Sequence, residues 1–474
     1  MTTQCFTKIS ALVTALLLIT AATFPATGQP TSLDADGMLI VKGHRFFPIG
    51  VYECPEDDVA LHDMAYAGFN LVRCSPNRES LDRAESVGMK AWIPLGGNLA
   101  VRTDADRSRL ADIIAAHKDH PALVAWEAPD EPLWNVWYST SLWFHNEQPS
   151  LFRKHIEGFE GDKADRMQDI LKTYQASLQT ADYARAEDAA ARLWSLLGME
   201  SPHPDLLMTT APQRARDLAD ALLAGYELIR DTDPARPVWI NHAPRNRIPD
   251  LAYFNRAGHI AGCDIYPVPE EPENGHSDLA NRRISCVGDY TDRMQAAAPG
   301  KPVWMVLQGF GWHDLRETSN RPPETGRRPT YDETRFMAYD AIVHGAKGIL
   351  YWGTHRVEKT SSFWTDLTRV VRELNQMHSV LAAPAERLTG DIVLEPTLHS
   401  ADKGVALLAK RVGNNLCLIV VNEFQAPLRF TISRLPLPDG TVFRDVPDTS
   451  TLTVENGRLS YGLDGYGTAV LMQQ

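Results

Sequence analysis

The stretch Leu123-Val124-Ala125-Trp126-Glu127-Ala128-Pro129-Asp130-Glu131-Pro132 closes an apolar run on two adjacent carboxylates, with Trp134 and Trp137 just beyond. A carboxyl group that must release a proton near neutral pH needs a raised pKa. Apolar walls and a neighbouring negative charge both supply that. Glu131, beside Asp130 and near Trp126, Trp134 and Trp137, has both in prospect and is the first candidate for a general acid. The plainer role for Asp130-Glu131-Pro132 is to cap the segment that follows. Other chemistries leave no mark: there is no Gly-x-Ser-x-Gly elbow, no His-Glu-x-x-His and no Cys-x-x-Cys. No metal set and no cofactor are expected.

Those carboxylates need a frame. At 474 residues, with ordinary fractions of apolar (44%) and charged (23%) residues, the chain has the length and composition of two globular domains. From residue 46 it alternates short apolar runs with amphipathic segments. The runs are Phe46–Tyr52, Phe69–Cys74, Lys90–Leu95, Leu123–Glu127, Pro237–Asn241, Ile260–Tyr266, Pro302–Leu307 and Gly348–Trp352. Near-continuous hydrophobicity marks strands buried on both faces. Eight such units predict an α/β chain folded as a (β/α)8 TIM barrel over 29–383, with a helical insertion at about 133–236. An open doubly wound sheet is the rival, but no Gly-x-Gly-x-x-Gly follows the first run. Beyond residue 383 short strands alternate with turn residues such as Gly413-Asn414-Asn415 and Asn456-Gly457, which predicts a C-terminal antiparallel β-sandwich over 384–474.

In such a barrel the C-terminal strand ends carry the chemistry. They supply Tyr52, Glu53, Arg73, Asn98, Asp130, Glu131, Asn241, His242, Asp264, Tyr266, Gln308, Trp352 and His355, a ring of carboxylates, amides and aromatics. Several stand in an order that resembles the large superfamily of retaining glycoside hydrolases built on (β/α)8 barrels (clan A). Its fourth strand closes in Asn-Glu-Pro, where Asp130-Glu131-Pro132 stands here. Arg73 in Leu71-Val72-Arg73 resembles its second-strand arginine. Tyr266 in Asp264-Ile265-Tyr266-Pro267 resembles its sixth-strand tyrosine, and Trp352 in Tyr351-Trp352-Gly353 its eighth-strand tryptophan. The resemblance covers roughly residues 38 to 382. It implies a glycosidase acting on an oligo- or polysaccharide, with Glu131 as general acid/base and Asp130 orienting. Arg73, Tyr52, Glu53, Asn241, His242, Tyr266, Gln308, Trp352 and Trp134 would then line the sugar subsite.

One departure unsettles the mechanism. The family's nucleophile is a glutamate ending the seventh strand, and Pro302-Val303-Trp304-Met305-Val306-Leu307-Gln308 puts an amide there. Three readings stay open. Another carboxylate serves, with Asp264 leading and Glu53 behind it. Or the 2-acetamido group of the substrate attacks, with Asp130 orienting it and Glu131 protonating the leaving group, as in N-acetylhexosaminidases. Or the barrel binds carbohydrate without cleaving it. Trp134, Trp137, Trp143 and Phe144 are either sugar-stacking platforms or the buried side of the insertion. The Arg-rich stretch 321–328 reads as an exposed loop.

A formal charge of −13 argues against a nucleic-acid partner. Lys8, the apolar run 9–24 and the small residues Ala26 and Gly28 read as a signal peptide over 1–28. A secreted or periplasmic location is therefore expected, without stable membrane insertion after cleavage. Five cysteines then remain, and Cys54 with Cys74 is a possible bridge. Oligomeric state is not readable from the sequence.

Overall fold

The apolar runs become eight short parallel strands: β1 (Ile49–Val51), β2 (Leu71–Arg73), β3 (Lys90–Pro94), β4 (Leu123–Glu127), β5 (Val238–His242), β6 (Ile260–Ile265), β7 (Val303–Gln308) and β8 (Gly348–Trp352). They close into one barrel in sequence order, β8 pairing back onto β1. This computed structural model describes residues 31–270, 277–318, 326–397, 403–446 and 449–474. The expected signal peptide lies outside them. Among the described residues no helix is long and apolar enough to cross a membrane.

Alternation along the strands sorts the side chains, interrupted in β4 by an irregularity at Val124, where the register with β3 shifts. Leu71, Trp92, Val124, Trp239, Ile260, Trp304, Val306 and Leu350 form one cluster inside the barrel, while residues such as Val72, Ile93, Trp126 and Cys263 face the helices. Three indoles therefore fill the bore. Leu39 and Val41, from a small N-terminal antiparallel sheet, join the same cluster and plug it. A filled bore makes the barrel a rigid support whose only free chemistry is at the strand ends.

The outer ring is α1 (Asp58–Ala67), α2 (Arg78–Ser86), α3 (Asp104–His117), α4 (Ala211–Thr232), α5 (Ile248–Phe254), α6 (Cys286–Ala297), α7 (Tyr331–Val343) and α8 (Ser362–Gln376). Thr103 with Asp106 and Thr330 with Glu333 form capping boxes that start α3 and α7. Between β4 and α4 the helices Pro132–Leu142, Gln148–Ile156, Asp162–Gln179 and Tyr183–Leu197 enclose a core of their own, built on Trp143, Phe144, Phe152, Tyr174 and Trp194. Trp143 and Phe144 are the buried side of this insertion and offer no platform.

The C-terminal sheets comprise six and three strands. In strand Asn415–Asn422, Leu416, Leu418 and Val420 face the sandwich core, while Cys417, Ile419 and Val421 pack against the barrel. That leaves α7 between barrel and sandwich, which is why it is buried almost all round. Arg335 of α7 ties the junction, bonding Glu373 at 2.9 Å and the Thr468 carbonyl at 2.8 Å. All five described cysteines are free; the Cys54 and Cys74 sulfurs stand 3.9 Å apart, unbonded.

One close approach fixes α4. A Cβ at Gly225 would lie 1.9 Å from the Leu99 carbonyl oxygen, so helix and turn meet backbone to backbone there. Gly225→Ala is expected to destabilise the protein by about 1–3 kcal/mol, despite alanine's better helix propensity, as read by thermal or denaturant unfolding. A neutral or stabilising effect would show that the contact is slack.

Candidate active site

Register brings the polar residues together. β2 pairs Arg73 with Trp92, β3 pairs Pro94 with Glu127, and β4 pairs Glu127 with Trp239. Glu127 is fully buried inside the mouth of the barrel, where its Oε2 accepts from Arg73 Nε at 2.9 Å and Trp92 Nε1 at 3.0 Å. Burial pushes its pKa up to about 7, against the pull of Arg73. Arg73 keeps 35% of its side chain exposed, so its far end faces the cleft. Arg73 was a sequence candidate and Glu127 was not. Glu127 ends an apolar run three residues before Asp130, and only its inward parity distinguishes it.

Above this floor the chain turns sharply. Glu131 adopts a left-handed conformation (φ 46°, ψ 47°) before Pro132 starts the next helix. Such a backbone costs a non-glycine residue about 1 kcal/mol or more, and proline further restricts the residue before it. The turn is held by Glu131 N–H donating to the Asn241 carbonyl at 3.2 Å and Asn135 Nδ2 donating to the Asp130 carbonyl at 2.9 Å. The Glu131 side chain does not cap the helix. It lies beside the Asp264 carboxyl of β6, near enough for each group to shift the pKa of the other.

Two neighbouring carboxylates repel each other, which favours a proton on the more buried of the two. Asp264 is the more deeply buried partner, and burial, then the charges of Glu131 and Asp130, push its pKa well up. Glu131 is half-buried and raised to about 7, first by burial and then by Asp130, while Asp264 pulls it down. Asp264 is therefore the protonated partner, and the pair titrates as a unit. The Tyr266 hydroxyl also contacts Asp264. Asp130 opens to solvent at the cleft surface yet is ringed by protein. Asn241 Nδ2 donates to its Oδ1 at 2.9 Å, and burial raises its pKa.

One wall of the cleft is aromatic. Trp352 stacks on Tyr266 with ring centres 5.5 Å apart at 20°, and Phe310 packs edge-on against both. Tyr52 lies over the bore against Trp92 and Trp239, with the Arg73 guanidinium 5.8 Å from its ring centre.

Several expected subsite residues face elsewhere. Gln308 shares the inward face of β7 but is fully buried. Its Nε2 donates to the Val268 and Phe310 carbonyls at 2.7 and 3.1 Å, and its Oε1 accepts from Val268 N–H at 2.9 Å. The amide fastens the loop after β6 and has no donor left for a sugar. His242 is one residue past Asn241 and so points outward, bonding Asn255 at 3.0 Å, with burial lowering its pKa to about 4. Glu53 is paired with Lys359 at 2.6 Å and is not a free carboxylate. Trp126 donates to Asp233 at 2.9 Å in the helix layer and does not wall Glu131. Trp134 stacks on Tyr138 at 5.7 Å on the insertion's first helix.

Solved structures share this architecture. A catalytic mutant of a GH42 beta-galactosidase from G. stearothermophilus matches with a TM-score of 0.50 and 10% identity over 90% of this chain and 98% of that one. A glycoside hydrolase family 5 protein from Bacteroides vulgatus matches at 0.53 with 14% identity, covering 95% and 94%. Another, described as a glycoside hydrolase, matches at 0.52 with 12% identity, covering 95% and 97%. At these identities the likeness is one of fold, a closed eight-stranded barrel followed by antiparallel sheets. No protein-family model and no curated sequence matches the chain.

The Arg73–Glu127–Trp92 junction makes a stability test. Glu127→Leu strands two donors and is expected to cost about 2–4 kcal/mol in denaturant unfolding. Glu127→Gln keeps an acceptor and should cost less than half as much. Equal losses would mean that the hydrogen bonds are not what the site depends on.

Proposed function

We propose that this chain is a glycosidase, hydrolysing O-glycosidic bonds of an oligo- or polysaccharide with Glu131 as the general acid. The carrying observation is the position of Glu131, half-buried beside Asp130 at the strand ends of a (β/α)8 barrel, where burial and that neighbouring charge raise its pKa to about 7. Cleavage of an acetal needs a proton on the departing oxygen, and an acid with pKa near 7 still carries one at neutral pH. Arg73, Asn241 and the stacked Tyr266 and Trp352 are the groups placed to hold a sugar ring beside that acid. The barrels of similar fold include glycoside hydrolases, which supports the reading. The leader-like N-terminus supports an exported enzyme.

The second half of the reaction follows from what is spent. Acid and nucleophile flank a sugar at ~5–5.5 Å in retaining enzymes, and acid and base at ~6.5–9.5 Å in inverting ones. Asp264 is buried, and burial with the charges of Glu131 and Asp130 keeps its carboxyl protonated, so it is a partner for the acid and not a ready carboxylate base or nucleophile. Gln308 is tied to backbone, Glu53 to Lys359 and Glu127 to Arg73. Asp130, exposed and oriented by Asn241, is the carboxylate that remains. That specific residue favours a second reading, in which a 2-acetamido group of the substrate attacks its own anomeric carbon while Asp130 orients it. The paired assay uses each sugar with and without a 2-acetamido group. Turnover confined to the acetamido substrates supports assistance, and equal turnover removes it.

The acid assignment is tested by leaving group and by pH. Glu131→Gln should lower turnover of alkyl glycosides by about 10²–10⁴-fold and that of aryl glycosides with acidic phenols far less, because such phenols depart without a proton. Wild-type turnover of alkyl glycosides should fall as pH rises through about 7, where Glu131 loses its proton. Asp130→Asn removes a charge that raises Glu131, so this limb should move to lower pH. Asp264→Ala removes the neighbour that pulls the Glu131 pKa down, so the limb should move higher. Full activity in Glu131→Gln, or release of sugar from no substrate by the wild type, would overturn the assignment.

A further inference from the structure

Outside the barrel, where α6, α7 and the sandwich meet, a second polar cluster is buried. Asp340 and His344 stand one turn apart at the end of α7, and Glu423 follows the sandwich strand Asn415–Asn422. His344 Nε2 lies 3.2 Å from Glu423 Oε1 and 3.9 Å from Asp340 Oδ1. One ligand atom from each of the three lies within 4.8 Å of the others. Asp340 is fully buried. Its Oδ2 accepts from Gly288 N–H at 2.7 Å, but its Oδ1, facing His344, has no hydrogen-bond partner. A buried carboxylate oxygen whose nearest charged neighbour, His344 Nε2, stands at 3.9 Å, beyond hydrogen-bond reach, is under-satisfied, and a cation between the two would satisfy it.

We propose that Asp340, His344 and Glu423 bind a divalent cation of the zinc class, clamping the sandwich to the barrel. Four ligands about 2.0–2.1 Å from zinc stand about 3.3 Å from one another, close to the 3.2 and 3.9 Å found here. The imidazole is already backed as a metal-bound histidine is, its Nδ1 paired with Asp292 Oδ2 of α6 at 2.9 Å, which turns Nε2 towards the two carboxylates. Gly288 admits the group: a Cβ there would lie 2.5 Å from His344 Cδ2 and 3.0 Å from Asp340 Oδ2. One imidazole with two carboxylates suits a borderline cation better than calcium or magnesium, which take all-oxygen sets. Lys403, from the sandwich, sits 3.0 Å from Glu423 Oε1 and 2.5 Å from Asp289 Oδ1; it opposes the cation and sets an upper bound on affinity. No short motif announces the site, because Glu423 lies 79 residues beyond His344.

The test uses the full chain, stripped with a chelator that is then removed, and titrated with zinc by calorimetry and with cobalt(II) by visible absorption. One equivalent should bind and raise Tm by several degrees. Asp340→Asn and His344→Gln should each weaken binding by at least 100-fold, Asp292→Asn by about 10–100-fold, and Lys403→Met should strengthen it. The cleft variant Glu131→Gln/Asp264→Asn should bind as wild type does, separating this site from the catalytic carboxylates. Failure of the wild type to take up one equivalent would overturn the proposal whether or not the variants fold. So would undiminished uptake in Asp340→Asn and His344→Gln, or equal stabilisation by calcium.

Discussion

The grouping of the Glu131, Asp130 and Asp264 carboxyls is the constraint on which the arrangement of the cleft turns. It brings the turn after β4 against the end of β6, and burial with mutual repulsion favours a proton on Asp264. What keeps the proton there is the barrel. Trp92, Trp239 and Trp304 fill the bore below, so Asp264 has no water beneath it to stabilise a charge. The left-handed turn at Glu131 is the local strain that lets its carboxyl reach Asp264 and leave the helix behind it uncapped. Glu127 and Arg73 anchor the strand that carries the turn.

The missing seventh-strand carboxylate is not a simple vacancy in this frame. Gln308 occupies its place with three hydrogen bonds to backbone, holding the loop that follows β6 and thereby Tyr266. A glutamate there would lack the two N–H donors that Val268 and Phe310 receive. The amide thus has a structural task, and under the proposed function the electrons at the anomeric carbon must come from elsewhere. Asp130 is the carboxylate left unspent, which is why the chemistry of the substrate's own 2-substituent matters.

Much of this was readable from residue types, and the reason for each success or failure is physical. Eight runs of buried-strand hydrophobicity with helical spacers admit few closures, so the barrel followed from periodicity. At the site, Asp130, Glu131, Asp264, Arg73, Tyr266, Asn241 and Trp352 do converge. His242 and Trp126 failed by parity, since neighbours on a strand face opposite ways. Glu127 carries no mark in the sequence beyond its inward parity with Ala125, because it ends an apolar run inside the strand and not at the loop that follows. Glu53 and Gln308 were lost to partners 306 and 40 residues away, and no local pattern reports those.

The central claim is that Glu131 holds a proton near neutral pH because of its burial and the neighbouring Asp130, against the pull of Asp264. Carbon-13 NMR of the glutamate side-chain carboxyls across pH tests it without any substrate. Glu127 and Glu131 should each titrate near pH 7, with the Glu131 resonance identified by its loss in Glu131→Gln. If the resonance lost in that variant titrates near the ordinary glutamate value of about 4.5, the proton is not held there and the account of the acid is wrong.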